Sequence, residues 1–318
     1  MGAIGNRARH DFLKSLSSMD TTQTIASTNH QLLSLSGGLN VSYSHDADGN
    51  TTGDGTNTYT YDDTNRLTSV TTPSGTDTYQ YNGLGQRIEK TAGGATTVFI
   101  YDEAGHLLGE YTPSGGLVEE HIWLNNRPIG VITPSGLYYV QTDQLGTPRY
   151  ITNASKQLIW EWQSDPFGNG APNQNPSGLG TFTYNLRFPG QYYDAETGHN
   201  YNYFRDYNPS IGRYIESDPV GLFGGVNTYS YVDGNPVVYF DRYGLCWIYS
   251  QSTGRLTHVD STGKATYVGT GYAGYGAGLN NPFMQNVAGQ QPYASGSLPR
   301  GGRSEERRVG KECIYRWS

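Results

Sequence analysis

Apolar and polar positions alternate with a period of two through the middle of this chain. Aromatic residues stand two apart at Tyr59 and Tyr61, at Tyr79 and Tyr81, and at Phe99 and Tyr101, with polar or small residues flanking most of them. That beat predicts half-buried strands. The pairs Tyr61-Asp62, Tyr81-Asn82 and Tyr101-Asp102 also recur at intervals of 20 residues. Three positions after each Asp or Asn comes Asn65, Gly85 or Gly105, followed by Arg66-Leu67, Gln86-Arg87-Ile88 or His106-Leu107. An Asp or Asn side chain can close a turn on its own backbone, and Gly or Asn accepts the left-handed conformation a tight turn needs. Each unit is therefore predicted to be one strand–turn–strand hairpin. A lone hairpin cannot bury its face, so neighbouring copies must stack.

Degenerate copies flank the three clear ones. Tyr43-Ser44-His45-Asp46 with Gly49 reads as an upstream unit, and Thr112-Pro113-Ser114-Gly115 and Thr133-Pro134-Ser135-Gly136 mark downstream turns. Asp143–Thr152 and Trp160–Gly170 continue the pattern. The array is assigned to residues 41–170, preceded by a Ser/Thr-rich stretch without period at 1–40 that predicts a poorly ordered lead-in. The fold class read from this pattern is all-β, an open array of stacked hairpins.

Composition agrees. The 318 residues include 43 Gly and 27 Tyr, with only 15% charged residues, a balance that favours strands over a solvated disordered chain. A net charge of −7 argues against a nucleic-acid groove, which needs clustered Lys and Arg. No apolar run approaches the ~20 residues of a membrane span, and the first twenty residues contain no signal-peptide core. Two cysteines, Cys246 and Cys313, make neither a disulfide scaffold nor a four-ligand zinc site. No cofactor or metal is expected: His45, His106 and His121 fall in turns or strands without ligand spacing, which points to packing or surface roles.

The stretch Gly190–Leu245 carries the most specific motifs. Tyr pairs are followed by NPSIGR, SDPVGL at Ser217–Leu222, GGVNTYSYV, NPV and DRYGL at Asp241–Leu245. In this order they resemble the core-closing module of the RHS/YD-repeat family, here placed at residues 171–245. The resemblance implies a plug that closes a β-cage and cuts off a C-terminal effector by self-proteolysis. It makes the chain the C-terminal fragment of a longer polymorphic toxin carrier, secreted or displayed at the cell surface through upstream modules. Its implied partners are its own effector as cargo, a cognate immunity protein and a secretion apparatus.

Hydrolysis by two carboxylates needs one ionised group to activate water and one protonated group to supply a proton, a split favoured when both share a dry site. RHS cores resemble aspartyl proteases in this respect, and the candidates are Asp218 and Asp241, 23 positions apart. Gly221 and Gly244 let the backbone turn beside each carboxylate. The resemblance places the cut at Leu245–Cys246, and Arg213 is the candidate for orienting charge or stabilising an oxyanion. Asn227, Tyr229, Tyr231 and Asn235-Pro236 are expected to hold the pairing and turns of the plug. The chain departs from the family at Arg242, where proline is usual. That change loosens the turn and is expected to put a cation beside Asp241, with two outcomes open: cleavage with Asp241 as base and Asp218 as acid, or loss of cleavage.

Beyond Leu245 the pattern changes. Short strands are expected at Trp247–Tyr249, Leu256–Val259 and Ala265–Val268, with turns at Ser252–Arg255 and Ser261–Lys264. Residues 246–300 resemble the opening of a peptidoglycan-targeting effector family related to L,D-transpeptidases, whose catalytic His and Cys would follow on a segment missing here. Residues 301–318 hold eight charged side chains and resemble a translated artefact of sequence assembly. The alternative from another class is a structural or adhesive cell-surface repeat protein, its tyrosine faces binding glycans, without proteolysis.

Overall fold

A computed structural model describes residues 21–245 apart from Val220, together with the backbone of three strands at Tyr249–Ser250, Arg255–Val259 and Ala265–Thr270. Three strands come first, β1 (Thr21–Ile25), β2 (Leu32–Gly37) and β3 (Val41–Ser42), paired in that order. Residues 21–37, assigned from the sequence to the lead-in, thus form a hairpin: Leu32 and Leu35 are buried, giving β2 an apolar face to pack. Next comes a 13-stranded antiparallel meander in strict chain order, from β4 (Ser44–His45) to β16 (Leu158–Glu161). A smaller four-stranded sheet follows, β17 (Tyr192–Asp194), β18 (His199–Asn202), β19 (Arg205–Asn208) and β20 (Arg213–Tyr214). The three strands past Leu245 pair in chain order, close to their expected positions.

The 20-residue repeat has a direct physical cause. Asp62 Oδ1 accepts the amides of Thr64 (2.8 Å) and Arg66 (3.1 Å), and Asn82 Oδ1 accepts those of Leu84 (2.9 Å) and Gln86 (3.0 Å). Asp143, Asn153 and Asp165 close their turns in the same way. The tyrosine before the turn residue sits at a register shift, and its hydroxyl reaches back to the preceding repeat. Tyr81 donates to the Leu67 carbonyl (2.7 Å) and Tyr101 to that of Arg87 (2.9 Å). Trp123 takes over this role in the following unit, its Nε1 donating to the Leu107 carbonyl at 2.8 Å. The Tyr-Asp pair therefore makes both the turn within a hairpin and the bond to its neighbour.

Alternate strand ends differ. One edge of the meander carries the turns at 46–50, 62–66, 82–86, 102–106 and 143–147, and the plug docks along it. Three plug tyrosines cap the turn glycines: Tyr229 donates to the Gly49 carbonyl (2.7 Å), Tyr201 to Gly85 (3.2 Å) and Tyr203 to Gly105 (2.9 Å). Gly105 sits at φ +81°, and a Cβ there would lie 2.4 Å from the Tyr203 hydroxyl, so the turn needs glycine for conformation and for space. Ionic contacts join the array and the plug as well. Arg87 makes a bidentate pair with Asp194 (2.6 and 2.9 Å), and Lys90 reaches both Asp194 (2.9 Å) and Glu196 (3.3 Å). The main apolar cluster mixes array residues such as Phe99, Val131 and Ile151 with Tyr184, Tyr192 and Tyr201 of the core module.

Candidate functional site

The second motif folds back on itself at the end of the plug. Asp241 Oδ1 accepts three consecutive amides, Tyr243 (3.2 Å), Gly244 (2.9 Å) and Leu245 (3.2 Å). Its Oδ2 takes the Tyr214 hydroxyl (3.0 Å) and the guanidinium of Arg205 (3.3 Å). Asn202 Nδ2 bonds both the Tyr214 hydroxyl (2.7 Å) and the Asp241 carbonyl (2.9 Å), which anchors the turn to β18. Gly244 is at φ +67°, and a Cβ there would fall 2.5 Å from the Asn202 carbonyl oxygen. No other residue fits that place without moving the β18–β19 connection. Leu245 is buried.

The first motif reaches the same spot. Asp218 Oδ2 lies 2.9 Å from Arg205 Nη2, the nitrogen that also meets Asp241. One guanidinium therefore ties together two carboxylates 23 positions apart, and all three side chains are buried. Arg205 Nε also donates to the Gly244 carbonyl and Nη1 to that of Thr228 (3.0 Å), while its guanidinium carbon lies 3.6 Å from the Tyr214 ring centre. Burial opposes the Arg205 charge, but Asp218 first, and then the Tyr214 hydroxyl and Asp241, hold its pKa above the ordinary guanidinium value.

The structure corrects two expectations about charge. Arg213 is not the arginine at the pair: its guanidinium donates to the His30 carbonyl and stacks on Tyr229 (4.9 Å), tying β20 to the first hairpin. Arg205 occupies the bridging position instead. Its motif, Tyr-Phe-Arg-Asp, carries no mark in the sequence that separates it from Arg213; only the pairing of β18 with β19 turns it inward. Arg242, in turn, points away from Asp241. It bonds Asn126 Oδ1 (2.7 Å) and the Ala104 carbonyl (3.3 Å), both on the array.

The remaining motif residues act as turns and packing. Gly221 sits at φ +62° and donates to the Asp218 carbonyl (2.8 Å), closing the first motif. Asn227 accepts the Tyr229 amide (3.1 Å), and Tyr231 is buried against Phe188 and Tyr207. The Asn235 carbonyl accepts the amides of Val238 (3.3 Å) and Tyr239 (3.1 Å), with Pro236 buried behind it. His106 packs on Trp123, its ring nitrogens on Asp102 (2.7 Å) and Asn126 (3.0 Å). Cys246, the far side of the expected cut, lies outside the described residues, as do the tail at 301–318 and the side chains of the effector segment.

Stacked hairpins with Tyr-Asp turns, closed along one edge by a tyrosine-rich plug, define a YD-shell protein. A family model described as the teneurin YD-shell matches residues 15–243, and the chain belongs to that family. It is 39% identical over 115 residues to double-stranded DNA deaminase toxin A of Burkholderia cenocepacia, covering 36% of this chain and 8% of that protein. It is 30% identical over 198 residues to the probable deoxyribonuclease RhsA of Dickeya dadantii, covering 59% of this chain and 14% of that protein. The chain thus spans a small fraction of the length of these relatives. A solved Photorhabdus luminescens Tc holotoxin pore shares the fold, with a TM-score of 0.52 at 19% identity over 71% of this chain and 13% of that one. Among the described residues no helix is long and apolar enough to cross a membrane.

Proposed function

We propose that this chain is the closing end of an RHS-type toxin carrier, which cuts its own backbone between Leu245 and Cys246 and so frees the segment that follows as cargo. The observation that carries this reading is the single Arg205 guanidinium that meets Asp218, Asp241 and the Gly244 carbonyl. Asp241 commits its oxygens to five donors, including the Leu245 amide, so it holds the substrate strand. That leaves Asp218 as the base, the reverse of the roles expected from a cation beside Asp241. Asp218 takes a proton from water, the water oxygen adds to the Leu245 carbonyl carbon, and the proton passes to the Cys246 nitrogen as the C–N bond breaks. The products are a carboxyl at Leu245 and a free amine at Cys246. Arg205, bound to the carbonyl one residue upstream, offsets charge developing on the Leu245 oxygen.

The toxin names of the relatives support a cargo role, and the effector resemblance favours a peptidoglycan target. Delivery through a secretion apparatus and a cognate immunity protein belong to the same reading. The glycan-binding alternative loses support from burial: Tyr59, Tyr79 and Phe99 face the core.

Intact mass of the purified chain tests the cut. A fragment beginning at Cys246 is expected from the wild type, and Asp218→Asn should slow its appearance at least ~100-fold, the usual contribution of a general base. Arg242→Ala should cut normally, because its guanidinium faces the array. Acid scission at the Asp165–Pro166 or Asp218–Pro219 bond would give different masses. A wild-type chain that stays whole through days at neutral pH sinks the proposal.

A further inference from the structure

Two carboxylates and an imidazole meet on the inner face of the array, away from the aspartate pair. Glu110, on the strand Leu107–Tyr111, is the direct cross-strand partner of Glu119 on the strand Leu117–Leu124, and His121 follows Glu119 on the same face. All three are buried, the His121 side chain completely. Their ligand atoms lie within 4.8 Å of one another. His121 Nε2 stands 3.5 Å from Glu119 Oε1 and 3.9 Å from Glu110 Oε1, and none of these three atoms has a hydrogen-bond partner.

Two buried carboxylates so close must be neutralised, and among the described residues no Lys or Arg pairs with either of them. The gaps are long for hydrogen bonds. They are close to the ligand–ligand edges of a tetrahedral zinc site, about 3.4 Å for bonds of about 2.1 Å. The plug supplies the support a metal ligand needs, since the Tyr192 hydroxyl donates to Glu110 Oε2 at 2.8 Å and fixes that carboxylate.

We propose that Glu110, Glu119 and His121 bind one divalent transition-metal ion of the zinc type, with water at a fourth position. The ion links two array strands and, through Tyr192, the plug, so its role is to lock the closed array rather than to cut it. Sequence alone hid the site, because Glu110 lies on a different strand and the i, i+2 pair of Glu119 and His121 matches no common ligand spacing.

The test uses the full chain with Cys246→Ser and Cys313→Ser, purified without a metal-affinity tag. Elemental analysis should find close to one zinc per chain. Chelator dialysis should lower the unfolding midpoint by several degrees, and ZnCl2 but not MgCl2 should restore it. CoCl2 added to the stripped protein should give the visible absorption of a four- or five-coordinate ion, lost in His121→Gln. Absence of saturable one-to-one binding of Zn2+ or Co2+ by the wild-type site overturns the proposal, whether or not the variant folds. Equal binding by a folded His121→Gln chain overturns it too. A proton shared by the two glutamates would then be the neutralising group, seen as a Glu119→Gln variant with an unchanged or raised midpoint. Cleavage at Leu245 is read separately by mass, so either result leaves the other standing.

Discussion

At the scale of single residues, the plug is held by hydrogen bonds from tyrosines to carbonyl groups that water cannot reach. Tyr203 is the sharpest case. It adopts φ +62°, costly for a bulky side chain, donates to Gly105 and accepts from Gln86 Nε2 (3.0 Å). Tyr203→Phe leaves both partners unsatisfied, and a loss of about 2 kcal/mol is expected in chemical denaturation. The half-exposed Tyr139→Phe should cost under about 0.5 kcal/mol and serves as the control. Asp194 carries a larger load. Burial would raise its pKa, but Arg87 and then Lys90 hold it below the usual carboxylate range. A depressed carboxyl adds stability above its unfolded value of about 3.9 and loses it as pH falls through the folded value. Asp194→Asn strands the buried Arg87, while Lys90 keeps Glu196, and should cost about 3–5 kcal/mol at neutral pH, with the gap to wild type closing in melts at strongly acid pH.

At the scale of elements, turn chemistry decides where the plug can dock. The turns at 62–66, 82–86 and 102–106 face it, whereas a Cβ added at Gly93 or Gly94, on the opposite edge, would meet nothing within 4 Å. Both kinds of turn use positive φ, +81° at Gly105 and +58° at Gly93. Gly93→Ala should therefore cost only the conformational strain, about 1 kcal/mol. Gly105→Ala adds a collision with the Tyr203 hydroxyl and should cost at least about 3 kcal/mol. Equal losses in urea unfolding would mean that the plug does not rest on this edge. Much of the element scale could be read from the sequence. The alternating aromatics marked the strands, and the Asp or Asn after each Tyr marked the turn. The first hairpin at 21–37 was missed because its Ser/Thr-rich segments carry no repeat signal.

At the scale of the whole molecule, stability depends on pH through buried groups that join β19 to Glu216, just past β20. The Asp206 amide donates to Glu216 Oε2 (2.7 Å), and both carboxyls are buried. Burial, and then the charge of Asp194, pushes Asp206 up to about 7, while burial and the neighbouring Asp206 raise Glu216 well above its usual range. Between about 3.9 and about 7 the folded chain keeps a proton that the unfolded chain has released. This contribution is full at acid pH and is lost as pH rises through about 7. His199 acts in the opposite sense: burial lowers it to about 4, so its contribution is lost as pH falls from about 6.5 toward that value. Asp206→Asn isolates the first effect. Its unfolding midpoint should gain on the wild type from about pH 4 to about pH 7 and level off above that, and parallel curves would rule the effect out.

The local sequence determined the strands, the period of 20 and the turn residues, because alternation and Asp or Asn turns act over a few bonds. It also marked both aspartates, since each lies in a short glycine-bearing motif. It could not choose between Arg205 and Arg213, or show that Arg242 turns to the array, because those outcomes depend on strands that meet only after the plug has docked. The same long-range pairing assembles Glu110, Glu119 and His121. Side-chain chemistry is written along the chain, but which charges face one another in a dry interior is settled by packing between distant strands.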